Sequence, residues 1–277
     1  MTLPAAFQPA VPTIALILAG MAVLAVIETA TPLHARSRWN RVHLRPNLAL
    51  TVLTFATNVF LNAALVMTLM RLHAKGFGLL HLYALPPLMT TLLTVFVLDV
   101  SFYVAHVAMH KIPAFWRFHR VHHSDPAVDV TTTIRQHPGE SLIRYACMAA
   151  FAIPLGPSVG AFGVYRVWSA LSGALEHANI RVPAWLDTAL SLVFTWPTMH
   201  KIHHSRAVQY TDTNYGNIVS WWDRLFCTFT PARYGTQIAY GLDGYDDAAS
   251  QTTVGLLRAP FRAAESRATT TAAASLS

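Results

Sequence analysis

Long apolar runs separated by short polar segments dominate the first hundred residues. Thr13 to Ala30, Leu48 to Met70 and Leu82 to Ala105 are each long enough to cross a bilayer core of about 30 Å. A double proline near the start of the third run sets the beginning of its helix. We therefore assign residues 1–98 to N-terminal membrane spans.

A fourth apolar stretch, Tyr145 to Leu175, is interrupted by the sequence PLGPSVG at 154–160. Its length is too short for two full crossings of about 20 residues each. Histidines flank it on both sides, and they can share a site only if the chain returns to the same membrane face. The pattern predicts a helical hairpin, broken at 154–160, that dips into or just through the bilayer.

The remainder of the chain is more polar. Pro183 to Pro197 has tryptophans near both ends and predicts a short interfacial helix. Residues 232–277 are predicted to form a polar tail. Within it, Ala259 to Ser277 is rich in Ala, Thr, Ser and Arg and is expected to be disordered. The predicted fold is all-α: an integral-membrane helical bundle of about three spans plus a broken hairpin, with a cytoplasmic, helical, histidine-rich cap.

Composition and charge agree with a membrane location. The chain is 53% hydrophobic and 12% charged, against roughly 25% charged residues in soluble domains. The net charge of +7 is spread between the apolar runs, so it predicts contact with anionic membrane lipids and not with nucleic acid. Neither of the two cysteines has a metal-binding or disulfide-framework spacing.

Basic residues also predict the orientation in the membrane. The loop between the first two apolar runs contains Arg36, Arg38, Arg41 and Arg45, and the positive-inside rule places such a loop in the cytoplasm. The N-terminus would then lie outside, and His106, at the end of the third run, would lie inside. The N-terminus has no signal-peptide pattern and is expected to be retained.

Ten of the fourteen histidines fall between residues 106 and 204, in spacings that have a geometric meaning. HVAMH places two imidazoles one helical turn apart, and HRVHH and HKIHH each place three on one helical face. Two such motifs are rare by chance. The predicted metal ligands in these motifs are His106, His110, His119, His122, His123, His200, His203 and His204.

Eight imidazoles exceed the six coordination positions of a single ion, so the pattern predicts two metal ions close together. Imidazole suits iron, zinc, copper and nickel. A zinc-dependent membrane hydrolase is the alternative, but it would need a water-activating carboxylate in a motif such as HExxH, which the sequence lacks. A histidine-rich metal transporter would need its ligands at mid-membrane. The pattern favours oxygen activation by two redox-active ions.

Further candidates lie near these motifs. His177 would return to the cluster after the hairpin, and His137 follows the first three-histidine motif; both are predicted as additional ligands. The remaining four histidines are expected to be interfacial or solvated: His34, His43, His73 and His81.

Asp99 lies two helical turns before His106 and could accept a hydrogen bond from a ligand imidazole. A salt bridge to a membrane-proximal arginine is an equal alternative for this carboxylate. Individually weaker candidates for the same role are Asp125, Asp129, Glu140, Glu176 and Asp212.

The histidine motifs and their flanks resemble the fatty acid hydroxylase / sterol desaturase superfamily. DVSFYVAHVAMH, WRFHRVHHSD, and HANI followed by TWPTMHKIHHS resemble its three histidine boxes. DTNYGNIVSWWDRLFCTFTP resembles the segment that ends its catalytic region. The resemblance covers residues 99–231, about half of the chain. One departure is Cys227, which stands where the family commonly has glycine.

The resemblance implies that residues 99–231 form a catalytic domain in which the eight motif histidines and His177 hold two iron ions. It further implies hydroxylation or desaturation of a fatty acyl, alkyl or sterol chain. The co-substrate would be dioxygen, with two electrons from a separate electron-transfer protein or reductant. The flanks HRVHHS and NYG…WDRLF resemble the alkylglycerol monooxygenase branch, in which the donor is a reduced pterin.

A lipid substrate would need a channel. Candidates for its lining are Phe102, Tyr103, Tyr165 and Trp168, with ordinary helix packing as the favoured alternative for all four.

Overall fold

Three long apolar helices follow the three predicted spans. The computed structural model describes residues 10–35, 40–231 and 238–262, and within these ranges the chain is helical without a β-strand. The three helices are α1 (Ala10–Ala30), α2 (Asn40–His73) and α3 (Pro87–Lys111). Each is long and apolar enough to cross a membrane. The prediction of an all-α membrane helical bundle is confirmed.

The boundaries of α3 follow from its prolines. Pro86 is the N-cap and Pro87 occupies the first helical position, where the missing N–H group costs nothing. The helix continues beyond the apolar run to Lys111 and ends where Ile112 becomes extended. The first histidine motif therefore lies on the last turns of α3. Immediately afterwards, α4 (Pro113–His123) carries the second motif.

The fourth apolar stretch forms a helical hairpin, as predicted, consisting of α5 (Pro138–Leu155) and α6 (Val159–His177). Gly156 at the bend has φ +72°, a conformation that favours glycine. A Cβ atom on Gly78 would lie 2.5 Å from the Gly156 Cα atom, so the bend contacts the loop between α2 and α3. The hairpin therefore extends along the bundle to that loop, farther than a shallow dip.

The hairpin packs into the bundle on several sides. It lies against α3 through both of its helices, against α2 through α5 and against α1 through α6. Buried apolar side chains of these helices, including Leu69, Leu98, Met148 and Phe162, form the main core. The C-terminal ends of α3 and α6, which carry histidines, consequently lie with the N-terminal end of α5 at one end of the bundle.

Short helices complete the histidine-bearing end. They are a 3-10 helix (Val130–Ile134), α7 (Ala184–Leu190), α8 (Pro197–His203), α9 (Val208–Thr211) and α10 (Trp221–Leu225). The helix predicted over 183–197 ends at Leu190, because residues 191–193 form a turn and Phe194 forms an isolated β-bridge with Val219.

The tail is more ordered than predicted where the structure describes it. Helix α11 (Thr253–Arg258) and a 3-10 helix (Ala259–Phe261) bury Leu256 and Ala259 against Leu50 and Val121. The prediction of disorder from Ala259 is therefore wrong for 259–262. Residues 263–277 lie outside the described residues, as do Arg36 and Arg38 of the arginine-rich loop.

Candidate metal centre

Histidines from four helices converge into two buried groups. Within each group one ring nitrogen per residue lies within 4.8 Å of all the others. The first group consists of His106, His110, His119, His123 and His203. The second group consists of His122, His177, His200 and His204. The structure thus brings together the eight histidines of the three motifs and also His177.

Each three-histidine motif contributes to both groups. In HRVHH, the i, i+4 pair His119 and His123 belongs to the first group, and His122 belongs to the second. HKIHH does the reverse, since its i, i+4 pair lies in the second group and its middle histidine in the first. The ring centroids of His123 and His204, from different groups, are 4.6 Å apart. Two adjacent sites result, each built from both motifs.

The spacing of the inward-facing nitrogens suits metal ions. The Nε2 atom of His177 lies 3.0 Å from that of His122 and 3.1 Å from those of His200 and His204. Metal–imidazole bonds of about 2.1 Å place neighbouring ligand nitrogens about 3.0 Å apart at right angles and about 3.4 Å apart in a tetrahedron. The observed separations match ligands that share one ion.

Main-chain carbonyl groups fix the orientation of several rings. The Nδ1–H groups of His106 and His203 donate to the carbonyls of Tyr215 and Thr213, both at 2.8 Å. His177 donates in the same way to the carbonyl of Gly173 at 2.6 Å. Each bond selects the tautomer whose Nε2 lone pair faces inward. The buried Nε2 atoms of His106 and His203 have no hydrogen-bond partner among the described residues, and a metal ion would give both atoms a partner.

Burial keeps the imidazoles ready to bind metal. The helices α4 and α8 carry His122, His123, His200 and His203, and burial lowers the pKa of each well below its usual value. Neighbouring histidines lower these pKa values further. Because the neutral imidazole is the ligand, little proton release would be needed at neutral pH.

Carboxylates hold two further ligand rings. Oε1 of Glu140 lies 3.1 Å from Nδ1 of His119, and Oδ1 of Asp212 lies 3.1 Å from Nδ1 of His110. Glu176 lies farther away, at 3.8 Å from Nδ1 of His200. Of the weaker sequence candidates, Glu140 and Asp212 therefore have the geometry to orient ligands.

Replacing Glu140 with glutamine is expected to weaken metal binding to the first group by about 10- to 100-fold, the usual effect of losing such a partner. Glu140 is fully buried and also accepts from Arg144 at 2.8 Å. The measurement is a Co²⁺ titration of the metal-free protein. The matched control is Asp243→Asn, which removes an exposed carboxylate paired with Arg206. Equal affinities in the two variants would show that Glu140 does not orient a ligand.

Among the described residues, the carboxylate of Asp99 contacts neither an imidazole nor an arginine, whereas the sequence predicts one or the other. It accepts from the main-chain N–H groups of Ile218 and Val219, at 3.0 and 3.2 Å, and from the indole N–H of Trp222 at 2.8 Å. The physical reason is that the loop after Tyr215 folds over α3 and offers three donors to this buried group. Asp99 therefore positions the loop.

A second buried carboxylate, that of Asp223, holds the other side of the same loop. It accepts from the N–H groups of Tyr215 and Gly216 at 2.7 and 2.9 Å. Burial raises the pKa of Asp223 to about 6. Because the carbonyl of Tyr215 accepts from His106, these two carboxylates act on a ligand through the loop. In the sequence, only the resemblance of NYGNIVSWWDRLF to the family indicates that this segment belongs to the catalytic region.

The structure does not bring His137 to either group. Its Nδ1 atom accepts from the N–H of Gly139 at 2.9 Å and caps α5, and its Nε2 atom lies 3.3 Å from the carbonyl of Leu257. Both ring nitrogens are therefore occupied, which corrects the prediction that His137 is a ligand.

His43 is also placed differently from the expectation of an interfacial or solvated residue. It is fully buried, with Nδ1 at 3.1 Å from Asp125 and Nε2 at 3.5 Å from Asp129. These two acidic residues therefore bind His43 and not a metal-facing ring. His73 and His81 pack together, with ring centroids 4.6 Å apart, where α2 ends.

A cavity of about 150 Å³ borders the histidine groups. Its wall includes His106, His122, His177 and His200 together with apolar side chains. Of the proposed lining residues, Phe102 and Tyr165 contribute to it. Tyr103 instead packs against Tyr215 and Trp222, and Trp168 is 39% exposed.

The fold and site together define a helical membrane protein with two adjacent, buried histidine groups able to hold metal. The model of the fatty acid hydroxylase family matches residues 91–228, about half of the chain. The chain belongs to this family, within the fatty acid hydroxylase / sterol desaturase superfamily. No solved structure matches it.

Curated relatives share the same segment. Alkylglycerol monooxygenase from Caenorhabditis elegans is 34% identical over 157 residues, covering 55% of this chain and 29% of the relative. Ornithine lipid hydroxylase OlsE from Rhizobium tropici is 32% identical, covering 47% and 39%. Fatty acid hydroxylase vlmA from Lecanicillium sp is 25% identical, covering 48% and 39%. The chain thus spans about a third of the length of these relatives.

The departure at Cys227 has a structural consequence. Its φ angle of +57° lies in the left-handed region, which costs a non-glycine residue about 1–2 kcal/mol. The backbone turns there as α10 ends. The family preference for glycine at this position is explained by that turn.

Proposed function

We propose that this protein is a membrane-bound di-iron oxygenase that hydroxylates or desaturates a lipid, using dioxygen and two external electrons. The observation that carries the proposal is the pair of adjacent, buried histidine groups beside a largely apolar cavity. Their all-imidazole donor sets suit iron. Residues 99–231 would be the catalytic domain, and residues 1–98 would anchor it in the membrane.

The nine converging histidines would hold the metals, one ion per group. Bound iron would supply the activation of dioxygen and the cleavage of an unactivated C–H bond. The chain itself holds the ligand rings through the carbonyls of Gly173, Thr213 and Tyr215 and the carboxylates of Glu140 and Asp212. These fixed partners keep the inward nitrogens deprotonated and oriented.

The cavity would position the lipid chain. Phe102, Ala105 and Tyr165 give it an apolar wall close to the histidines, so an acyl, alkyl or sterol chain would displace water from the site. Three histidines of the second group and one of the first border the cavity. The reacting carbon would therefore approach from the side of the second group.

The relatives support a lipid substrate, since their names specify an alkylglycerol, an ornithine lipid and a fatty acid. We extend the resemblance to the electron donor, which would be a separate protein or reductant, with a reduced pterin as the candidate from the alkylglycerol monooxygenase branch. The site would face the cytoplasm, with the N-terminus outside, by the arginine distribution.

A zinc-dependent hydrolase is not favoured. The relatives named above are a monooxygenase and hydroxylases, and in the described residues both candidate metal groups consist of histidines alone. Such a hydrolase would need a water-activating carboxylate in a motif such as HExxH, which the sequence lacks.

Metal exchange tests the proposal. The purified protein, stripped with a chelator, is expected to regain about two Fe²⁺ ions per chain and, with dioxygen and a reductant, to oxidise a component of a membrane lipid extract. Mass spectrometry would detect a gain of one oxygen or a loss of two hydrogens. Zinc-loaded protein is expected to be inactive. Cleavage of a lipid by the zinc form under nitrogen, seen as two fragments that together have gained one water, would instead establish the hydrolase.

A further inference from the structure

We propose that Arg166 binds an oxyanion, a carboxylate or phosphate group, carried by the lipid substrate; this inference rests on the proposed function. Arg166 lies on α6 within the hairpin and lines the cavity beside the histidine groups. It also lines a second cavity of about 130 Å³ between α1, α2, α5 and α6. The two cavities share five residues: Ile17, Phe55, Asn58, Tyr145 and Arg166.

Arg166 lies in a part of the bundle where a positive charge is energetically unfavourable. Its helix belongs to a hairpin that extends along the membrane bundle as far as the loop between α2 and α3. A cationic side chain inside a membrane bundle is costly and marks a pathway or binding site by default. Arg166 is nevertheless placed where the two cavities adjoin, and most of the residues that line the second cavity are apolar.

The charge of Arg166 is not matched by a carboxylate among the described residues. Its Nη2 atom donates to the hydroxyl of Tyr145 at 2.9 Å, and its guanidinium carbon lies 5.1 Å from the ring centroid of the same residue. Arg144, which lines the same cavity, is by contrast paired with Glu140 at 2.8 Å. Since a guanidinium has five N–H donors in a planar fork, Arg166 retains donors for a ligand.

A second polar group at the junction lacks a partner. The Oδ1 atom of Asn58 is buried and has no hydrogen-bond partner in the described residues. The Tyr145 hydroxyl lies 3.4 Å from the main-chain oxygen of Asn58, so Arg166, Tyr145 and Asn58 form one cluster. A ligand headgroup with an oxyanion and a hydroxyl would satisfy both the guanidinium and the amide oxygen.

The apolar walls on both sides of the cluster indicate that this headgroup belongs to a lipid. Phe55 and Ile17 border both cavities, and Val66 and Phe162 line the second one. Arg166 precedes His177 by eleven residues on α6, which corresponds to about 16 Å along the helix axis. An oxyanion held by Arg166 would therefore fix which carbon of the lipid chain reaches the histidine groups.

Ligand binding to the metal-free protein tests the inference without relying on turnover. In a phosphate-free, non-ionic detergent, the wild-type protein would be titrated with palmitate, hexadecyl phosphate and hexadecanol, which share a chain length but differ in headgroup. We expect at least one anion to bind about ten times more tightly than the alcohol. Arg166→Gln is expected to weaken anion binding by about 10- to 100-fold and to leave alcohol binding within about twofold.

The control variant is Arg181→Gln, which removes an exposed positive charge outside the cavities and is expected to bind all three probes normally. The anion that binds more tightly identifies the oxyanion. Equal wild-type affinities for the alcohol and both anions would overturn the proposal without requiring any variant to fold. Equal weakening of all three probes in Arg166→Gln would likewise overturn it. If the protein bound no iron, the proposed function would fail, but anion selectivity would remain measurable.

Discussion

Replacement of His203 or His177 with alanine is expected to reduce the rate of lipid oxidation at least about a hundredfold. Loss of a residue that only orients a metal ligand already lowers metal affinity or activity by about 10- to 100-fold, and loss of the ligand itself should have a larger effect. His203 belongs to the first histidine group and His177 to the second. Each variant should contain about one iron ion fewer per chain than the wild-type protein. The measurements are iron content by mass spectrometry of the purified protein and the rate of product formation.

His137→Asn is the matched control for these two variants. Asparagine keeps an N-cap acceptor for α5, where His137 accepts from the N–H of Gly139. This variant is expected to keep both iron ions and nearly all activity. If His137→Asn lost iron as completely as His203→Ala, the assignment of the ligand set would be wrong, and a rearrangement of the end of α5 toward the metals would be required.

The helical periodicity of the histidine motifs predicted which residues converge, but not how they are shared. An i, i+3, i+4 pattern places three rings on one face, and His119, His122 and His123 do lie on one face of α4. That face lies between two groups, so His122 joins the second group and its neighbours the first. Which ring joins which group depends on where the histidines of α3, α6 and α8 lie relative to α4, and a local pattern carries no such information.

The partners that orient the ligand rings were hardest to predict. Three of them are main-chain carbonyls, of Gly173, Thr213 and Tyr215, and any residue supplies a carbonyl. For Asp99 the sequence predicts a hydrogen bond to a ligand imidazole or a salt bridge to an arginine, but its partners, Ile218 and Trp222, lie more than a hundred residues away. The sequence likewise does not indicate that His43 is buried, since its acidic partners, Asp125 and Asp129, lie more than eighty residues away. Long-range contacts decided each of these cases.

A buried guanidinium braces the histidine-bearing end of the molecule. Arg135 is fully buried, and its Nε atom donates to the carbonyl of Val121 on α4 at 3.0 Å. Its Nη1 atom donates to Asn47 on α2 at 2.8 Å, and Nη2 donates to Ser124 at 2.9 Å and to Gln251 of the tail at 2.8 Å. One side chain therefore ties α2, the end of α4 and the tail together.

Substitution of Arg135 with methionine is expected to lower the free energy of unfolding by about 3–5 kcal/mol, because it leaves several buried acceptors without a donor. For a chain of this size that corresponds to a fall of roughly 6–20 °C in Tm. Thermal unfolding of the metal-free protein in detergent measures the effect without a contribution from bound ions.

The control is Arg206→Met, which removes two ion pairs, with Asp243 and Asp246, from a partly exposed arginine. Exposed pairs contribute at most about 1 kcal/mol, so this variant should unfold within a few degrees of the wild type. Equal Tm values for the two variants would mean that α2, α4 and the tail hold together without the guanidinium, through the apolar contacts of Leu50, Val121 and Leu256.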